Sequence, residues 1–175
     1  MRLFVSVDLE DVAAAIGKLQ EPLSELPGVR LTDPEQAHVT MKFLGEGDHD
    51  LEALRGAIGR AIDEAETGPF EAALEGVGAF PAPEYIRVVW LGVGRGAAAL
   101  TALHRRLEAE TTDLGYDDER HEFTPHVTLA RVDHAGAKAD VQRFLREATP
   151  EIGPVRVEEL RLKESTRTDG GPAYR

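Results

Sequence analysis

Apolar positions along this chain follow two rhythms, and the switches between them predict the order of its elements. Arg2 to Val7 alternates weakly and reads as a buried strand. Glu10 to Leu26 then carries Val12, Ile16, Leu19 and Leu23 at helical spacing until Pro27-Gly28 stops it. From His38 to Gly45 the apolar positions Val39, Met41 and Phe43 alternate with the rest, the pattern of a half-buried strand. Gly45 to Gly47 turns the chain into a helix with Leu51, Leu54, Ile58 and Ile62 on one face, and Asp48 or Asp50 is its candidate cap.

The middle of the chain changes character. Phe70 to Phe80 and Tyr85 to Val93 are strand-like and meet at Pro81-Ala82-Pro83, which predicts an antiparallel hairpin with a loop of about four or five residues. Gly94 to Gly96 leads into a helix from Ala97 to Leu114 with Leu100, Leu103 and Leu107 inward; this Gly-x-Gly is too short for a dinucleotide fingerprint and reads as a turn. A second alternating run, His126 to Val132, precedes a helix from Lys138 to Ala148 with Val141, Phe144 and Leu145 inward. Strand character returns from Val155 to Leu162 and near Tyr174. Strands joined by both hairpins and helices point to an α+β architecture with mixed or antiparallel pairing, not a doubly wound parallel sheet.

Composition narrows the classes. At 175 residues the chain suits one domain, 1–175, with the length for a sizeable core. No apolar run approaches a bilayer span and no basic segment leads into an apolar signal stretch, so a soluble cytoplasmic protein with no membrane partner is expected. Cysteine is absent, which removes disulfides, thiolate zinc sites and cysteine nucleophiles together. Neither HExxH nor an EF-hand-type loop occurs. His49, His104, His121 and His134 stand scattered in polar surroundings, where surface exposure or local hydrogen bonding is the expected role.

A repeated tripeptide supplies candidate chemistry. His38-Val39-Thr40 recurs as His126-Val127-Thr128, and each copy opens one of the alternating runs. In a strand each histidine shares a face with the threonine two positions on, while the valine between them packs on the other side. Imidazole titrates near neutrality, so two of them can be held with one neutral and one protonated. That suits proton transfer at phosphorus. The neutral ring takes a proton from an attacking hydroxyl or water, the cationic ring supplies one to the departing oxygen, and the threonine hydroxyls donate to non-bridging oxygens. The scheme needs neither metal nor cofactor. One copy alone would be weak, since a strand histidine is more often a satisfied structural residue and threonine is a favoured strand residue; two copies in one context carry the reading. Strict alternation puts Arg131 opposite His126 and Thr128 unless a bulge intervenes, and gives Lys42 the His38 face, pointing outward.

On these blocks the chain resembles the 2H phosphoesterases, in particular their RNA 2',3'-cyclic phosphodiesterase branch, once called 2'-5' RNA ligases. RLFVSVDLEDVAAAI is similar to that branch's opening strand and helix, AHVTMKFLGE to its first motif block, and FTPHVTLAR to its second, with the Phe-x-Pro lead-in and Arg131. LRLKESTRTDGGPAY is similar to its closing strand, loop and Gly-Pro-x-Tyr, so nearly the whole chain is covered. Leu31 departs, standing where an aromatic is expected ahead of the first motif, which bears on a stacking contact rather than on the chemistry.

The resemblance implies a bilobal fold, two pseudo-symmetric lobes of mixed or antiparallel sheet with outer helices, each giving one motif strand to a central cleft. It implies a phosphoric diester hydrolase that opens an RNA-terminal or nucleoside 2',3'-cyclic phosphate to a 2'-phosphate, with 2'-5' ligation as the reverse step. His38 would be the proton donor and His126 the proton acceptor, although the near-identical motifs do not themselves choose. Thr40, Thr128 and Arg131 would bind the phosphate. RNA ends or small cyclic nucleotides are the expected partners, met by a monomer. Two other readings stay open: a non-catalytic binding module for 2'-phosphorylated nucleotides or RNA ends, and a two-histidine metal site completed by Asp8 or His121.

The charge constrains how such a substrate is met. A net charge of -12, from 20 basic and 32 acidic residues, is unusual for a protein acting on RNA, because a polyanion is normally met by a basic surface. A chain end or small nucleotide needs only a local cation such as Arg131, Lys42 or a protonated histidine. Acids spread through Asp48, Asp50, Glu52, Asp63, Glu64 and Glu66, with lysine scarce beside arginine, read as halophilic adaptation. In molar salt the Debye length falls to about 3 Å, which removes most long-range repulsion of RNA. A halophilic protein should lose thermal stability on dilution from molar KCl; equal melting temperatures in dilute buffer and molar salt would end that reading.

Overall fold

The computed structural model describes residues 1–119, 122–168 and 171–174. In chain order the elements are β1 (Arg2–Asp8), α1 (Ala13–Gln20), β2 (Val29–Leu31), β3 (His38–Glu46), α2 (Leu51–Ala65), β4 (Phe70–Ala82), β5 (Tyr85–Val93), α3 (Ala97–Asp113), β6 (His126–Val132), α4 (Lys138–Glu147), β7 (Glu151–Val157), β8 (Arg161–Thr168) and β9 (Gly171–Tyr174). Strands hydrogen-bond in the order β7-β4-β5-β6-β3-β1-β8-β9, with β2 attached to β6. All these pairings are antiparallel, which is the α+β arrangement expected from the hairpins and helices.

The two motif strands lie side by side in the middle of this order. They pair through Val39 opposite Val127, so β8-β1-β3 forms one half of the sheet and β6-β5-β4-β7 the other. Helices α2 and α3 pack together with α3 behind β3, while α1 packs behind β6 and α4 behind β4. Helix-facing positions supply the core: Val39, Met41, Val127 and Leu129 from the motif strands, Leu54 and Ile58 from α2, Leu100, Leu103 and Leu107 from α3. Burying a side chain of this size stabilises by about 1.5–3 kcal/mol, so the sheet's helix face is where the fold gains most. Among the described residues no helix is long and apolar enough to cross a membrane.

Local chemistry explains where the elements begin and end. Asp50 caps α2, its carboxylate accepting from the Ala53 amide at 3.1 Å. The expected inward face of α2 shifts slightly: Leu54, Ala57, Ile58 and Ala61 are buried while Ile62 sits at the rim, 38 % exposed. The helix read from Glu10 to Leu26 is α-helical only over Ala13–Gln20, with 3-10 turns at Glu10–Val12 and Glu21–Leu23. Pro22 lacks the amide that an α-helical turn would use there. Gly96, at φ +90, makes the turn into α3, and a Cβ on it would meet Ala72 at 3.0 Å.

Other boundaries differ from the sequence reading. The β4-β5 connection is only Pro83 and Glu84, because β4 continues to Ala82 through a register shift at Phe80/Pro81. Val155 to Leu162 is not one strand: β7 ends at Val157, β8 begins at Arg161, and the two lie near opposite edges of the sheet. Three-residue β2 is too short to show a period and was not expected.

Both motif strands carry a bulge at the same place. On β1, Ser6 faces Thr40 and Val5 faces Lys42, so Met41 is the extra residue. On β5, Trp90 faces Thr128 and Val89 faces Ala130, so Leu129 is the extra residue. Two residues against one reverses the side-chain alternation beyond the bulge. From each histidine onward the burial therefore runs identically: half-buried, buried, half-buried, buried, buried, exposed, buried. Lys42 and Ala130 turn inward, while Phe43 and Arg131 turn to the motif face. The outward lysine expected at position 42 is thus corrected. Lys42 is 1 % exposed and its ammonium donates to the Asp117 carbonyl at 2.7 Å. It also approaches Glu108 Oε1 at 2.9 Å, an ion pair angled away from hydrogen-bond alignment.

Candidate active site

Each imidazole is fixed by a backbone carbonyl two residues upstream. His38 Nδ1 lies 2.9 Å from the Gln36 carbonyl and His126 Nδ1 lies 2.6 Å from that of Thr124. A carbonyl oxygen only accepts, so Nδ1 carries the hydrogen in both rings and Nε2 is left as the atom that takes or gives a proton. With Val39 opposite Val127 in an antiparallel pair, His38 lies across from Thr128 and Thr40 across from His126. The histidines are then diagonal neighbours, roughly 7–8 Å apart with their Cβ atoms somewhat closer. All four side chains are half-buried on the face away from the paired valines. That spacing lets two Nε2 atoms approach one phosphate from two sides.

The two rings have different neighbours. His38 tilts against Phe4, ring centroids 5.2 Å apart, and Phe4 in turn has the Lys163 ammonium 5.5 Å above it. His126 meets the edge of Phe80 at 4.9 Å and lies 6.1 Å from Trp90. Burial pushes both imidazoles below the ordinary value of 6.5, against the raising effect of the carbonyl bonds. The Arg131 cation lowers both further, which puts it within electrostatic reach of each ring. At His38 the Lys163 ammonium also lowers and the Asp8 carboxylate raises.

Arg131 therefore serves the motif face, and the bulge is the reason. Its geometry is held from behind. The carbonyl of bulge residue Leu129 accepts from Gln20 Nε2 at 2.9 Å and from the Thr32 amide at 3.0 Å. The Thr32 hydroxyl donates to the Thr128 carbonyl at 2.8 Å. The carbonyl of bulge residue Met41 accepts from His104 Nδ1 at 2.8 Å. Gln20 is 2 % exposed and His104 6 %, so α1 and α3 each send one buried polar side chain to one bulge. His104 is thus a core residue, stacked on Phe123 at 4.0 Å and bonded to a carbonyl far along the chain, where surface exposure or local hydrogen bonding was expected.

The remaining sequence candidates fall elsewhere. Asp8 is half-buried and committed: burial alone would raise its carboxyl, but hydrogen bonds from Lys163 and Ser6, with the Lys163 and Arg161 charges, hold it below the usual range. His121 lies outside the described residues. His49 accepts from the Tyr116 hydroxyl at 2.7 Å, and His134 Nδ1 accepts from the Gly136 amide at 3.0 Å. Leu31 is 40 % exposed beside Ala130. Among the described residues, the one group of donors close enough to share a metal is His104, Glu108 and Glu119, where the Lys42 ammonium already pairs with Glu108. Phe4, Phe80, Trp90, Lys163 and Gln20 had no motif to mark them; the first four adjoin the site through pairing of strands distant in sequence, and Gln20 reaches it from α1.

Comparison with known proteins gives a consistent set of likenesses. Residues 8–169 match the 2'-5' RNA ligase superfamily. A protein of Aeropyrum pernix named RNA 2',3'-cyclic phosphodiesterase is 38 % identical over 148 residues, 84 % of this chain and 82 % of its own. One of the same name from Archaeoglobus fulgidus is 35 % identical over 178 residues, covering 100 % of this chain and 97 % of its own. Among solved structures, TT0787 of Thermus thermophilus superposes with a TM-score of 0.78 at 28 % identity, over 100 % of this chain and 94 % of that one. The fold is also shared with E. coli LigT complexed with 3'-AMP, TM-score 0.74 at 23 % identity, over 99 % of this chain and 93 % of that one.

Two outcomes follow from the geometry. Both imidazoles are depressed in the folded state, so their contribution to stability is present above pH 6.5 and is lost as the pH falls through the folded values. Denaturant unfolding at stepped pH should show that loss, and the His38→Gln/His126→Gln variant should flatten it; an unchanged slope would assign the loss to other groups. Replacing Gln20 by Leu removes a buried donor at a cost of about 1–3 kcal/mol. It should also weaken inorganic phosphate binding several-fold, but only while Arg131 is present. If Gln20→Leu weakens phosphate equally in an Arg131→Ala background, the link between α1 and Arg131 is absent.

Proposed function

The chain belongs to the 2'-5' RNA ligase superfamily, and on that premise we infer that it is an RNA 2',3'-cyclic phosphodiesterase whose cleft is the active site. The observation that supports this reading of the site is the pair of imidazoles on adjoining strands, each with Nδ1 on a backbone carbonyl two residues upstream.

In the proposed reaction a water oxygen attacks phosphorus and the bond to the ribose 3'-oxygen breaks, leaving a 2'-phosphate. His126 Nε2 takes the water's proton and His38 Nε2 gives one to the 3'-oxygen. This division of roles follows the family resemblance, not the local charges: at His38 the Lys163 cation outweighs the Asp8 carboxylate and Arg131 adds to it, and at His126 Arg131 likewise favours the neutral ring. Thr40 and Thr128 hydroxyls and the Arg131 guanidinium hold the non-bridging oxygens as charge builds on them. Each histidine faces the other strand's threonine, so one phosphate is gripped by both motifs at once. Run backwards with an RNA 5'-hydroxyl as nucleophile, the same steps make a 2'-5' linkage. One chain holds every group in this scheme, which we propose acts as a monomeric bilobal domain without metal.

Alanine at His38 or His126 should lower turnover of a 2',3'-cyclic nucleotide by on the order of a hundredfold or more, the usual scale for a positioned acid or base. Alanine at Thr40 or Thr128 should cost less. The activity should persist in chelator, and the product should carry its phosphate on the 2'-oxygen. A double His38→Ala/His126→Ala variant that still worked at the wild-type rate would falsify the mechanism.

A further inference from the structure

The two ends of the cleft are equivalent by the pseudo-symmetry of the motif strands, and they differ in charge. Past Phe43 on β3 lies a hollow lined by Glu46, Asp48, His49, Tyr116 and Asp117, where the Met1 ammonium, 2.6 Å from Glu46, offsets one of the three acids. Past Arg131 on β6 the balance reverses. Arg30 on β2 is the direct cross-strand partner of Arg131, so the two guanidinium groups leave the sheet on the same face. On the other side of Arg131 lies Val88 of β5, and the residue before it, Arg87, is close enough for its charge to act on Asp133, the partner of Arg30. Arg87 lies over the ring of Tyr85, 5.1 Å from its centroid, and donates to its hydroxyl at 3.0 Å. Exposed Lys138 lines the adjoining hollow beside Arg87. Four cations thus gather against Glu84 and Asp133, in a chain whose acids outnumber its bases 32 to 20.

These groups are available to a ligand. Arg30 and Asp133 form a two-pronged pair at 2.8 and 2.9 Å with side chains 59 % and 51 % exposed. Exposed pairs of this kind contribute little, so a phosphate can take over the guanidinium fork at small cost. Tyr85 is 57 % exposed and presents an aromatic face of the kind on which single-stranded bases stack. Guanidinium forks beside an open aromatic ring are what a single-stranded nucleic acid recognises: forks for its phosphates, the ring for a base.

We propose that the RNA strand leading up to the cyclic phosphate leaves the cleft past Arg131 and runs over Arg30, Arg87 and Tyr85, which makes an RNA chain, rather than a mononucleotide, the substrate this protein is shaped for. The proposal rests on the cyclic phosphodiesterase reading above and adds the direction and footprint of the strand. It also accounts for an acidic protein acting on RNA, because the basic surface is confined to a short track beside the reacting phosphate.

The test compares an adenosine 2',3'-cyclic phosphate with a tetranucleotide ending in the same group, across a salt series, for wild type and for Arg87→Ala/Tyr85→Ala and Arg30→Ala. Wild type should favour the tetranucleotide in kcat/KM by about tenfold or more. The double variant should raise KM for the tetranucleotide several-fold while leaving the mononucleotide unchanged, and each lost arginine contact should reduce the slope of log KM against log salt by about 0.7. A tetranucleotide KM and salt slope equal to wild type in these variants overturns the track. So does a Glu46→Gln/Asp48→Asn variant that tightens the tetranucleotide instead, which would send the strand the other way. Failure of wild type to open either substrate would instead sink the underlying reading of the site.

Discussion

Because Val39 and Val127 face each other across an antiparallel pair, the residues on either side of them have no freedom to be anywhere but on the opposite face, in a crossed arrangement of imidazole against hydroxyl. The rest of the site is built outward from that contact. Packing of the valines against the helices fixes which face is dry, and the motif residues are left on the other, half-exposed face. Carbonyls of Gln36 and Thr124 then choose the tautomer of each ring, a role that elsewhere often falls to a carboxylate. Burial, with the Arg131 cation adding to it, keeps both imidazoles less basic than in water.

The twin bulges are the second structural device, and they make the halves alike in backbone and unlike in chemistry. The same inserted residue brings an exposed aromatic, Phe43, to the face on one strand and a cation, Arg131, on the other. A bulge leaves a carbonyl out of the ladder, and a buried carbonyl without a donor is costly. Gln20 and Thr32 answer that need at Leu129, and His104 answers it at Met41. Buried polar groups in the helices are therefore explained by what the strands require, and the Lys42–Glu108 pair follows from the same phase change that turned a lysine inward.

Much of this was legible in the linear chain, and what was not has identifiable causes. His38, Thr40, His126 and Thr128 announce themselves because the same pair of residue types recurs in the same strand context, and local alternation places each pair on one face without help from the fold. Helices α2, α3 and α4 and the β4-β5 hairpin were readable for the same reason, since periodicity and capping are local. Arg131 and Lys42 were misplaced by strict alternation because a bulge is decided by the partner strand: one residue of β5 or β1 opposes two, and nothing in HVTLARV or HVTMKFLG by itself says so. The strand read across Val155 to Leu162 failed in a related way, since its two halves belong to different neighbours, β4 and β1.

The sequence by itself thus determined the repeated motif and most of the helices and strands, which depend on residues close together along the chain. Only the tertiary structure decided which strands adjoin, that Gln20 and His104 sit behind the bulges, that Asp8 is tied to Lys163 and Arg161, and that cations gather beyond Arg131. Those facts join residues far apart in the chain. Antiparallel pairing fixes them through hydrogen-bond register, and register is a property of two segments together, not of either one alone.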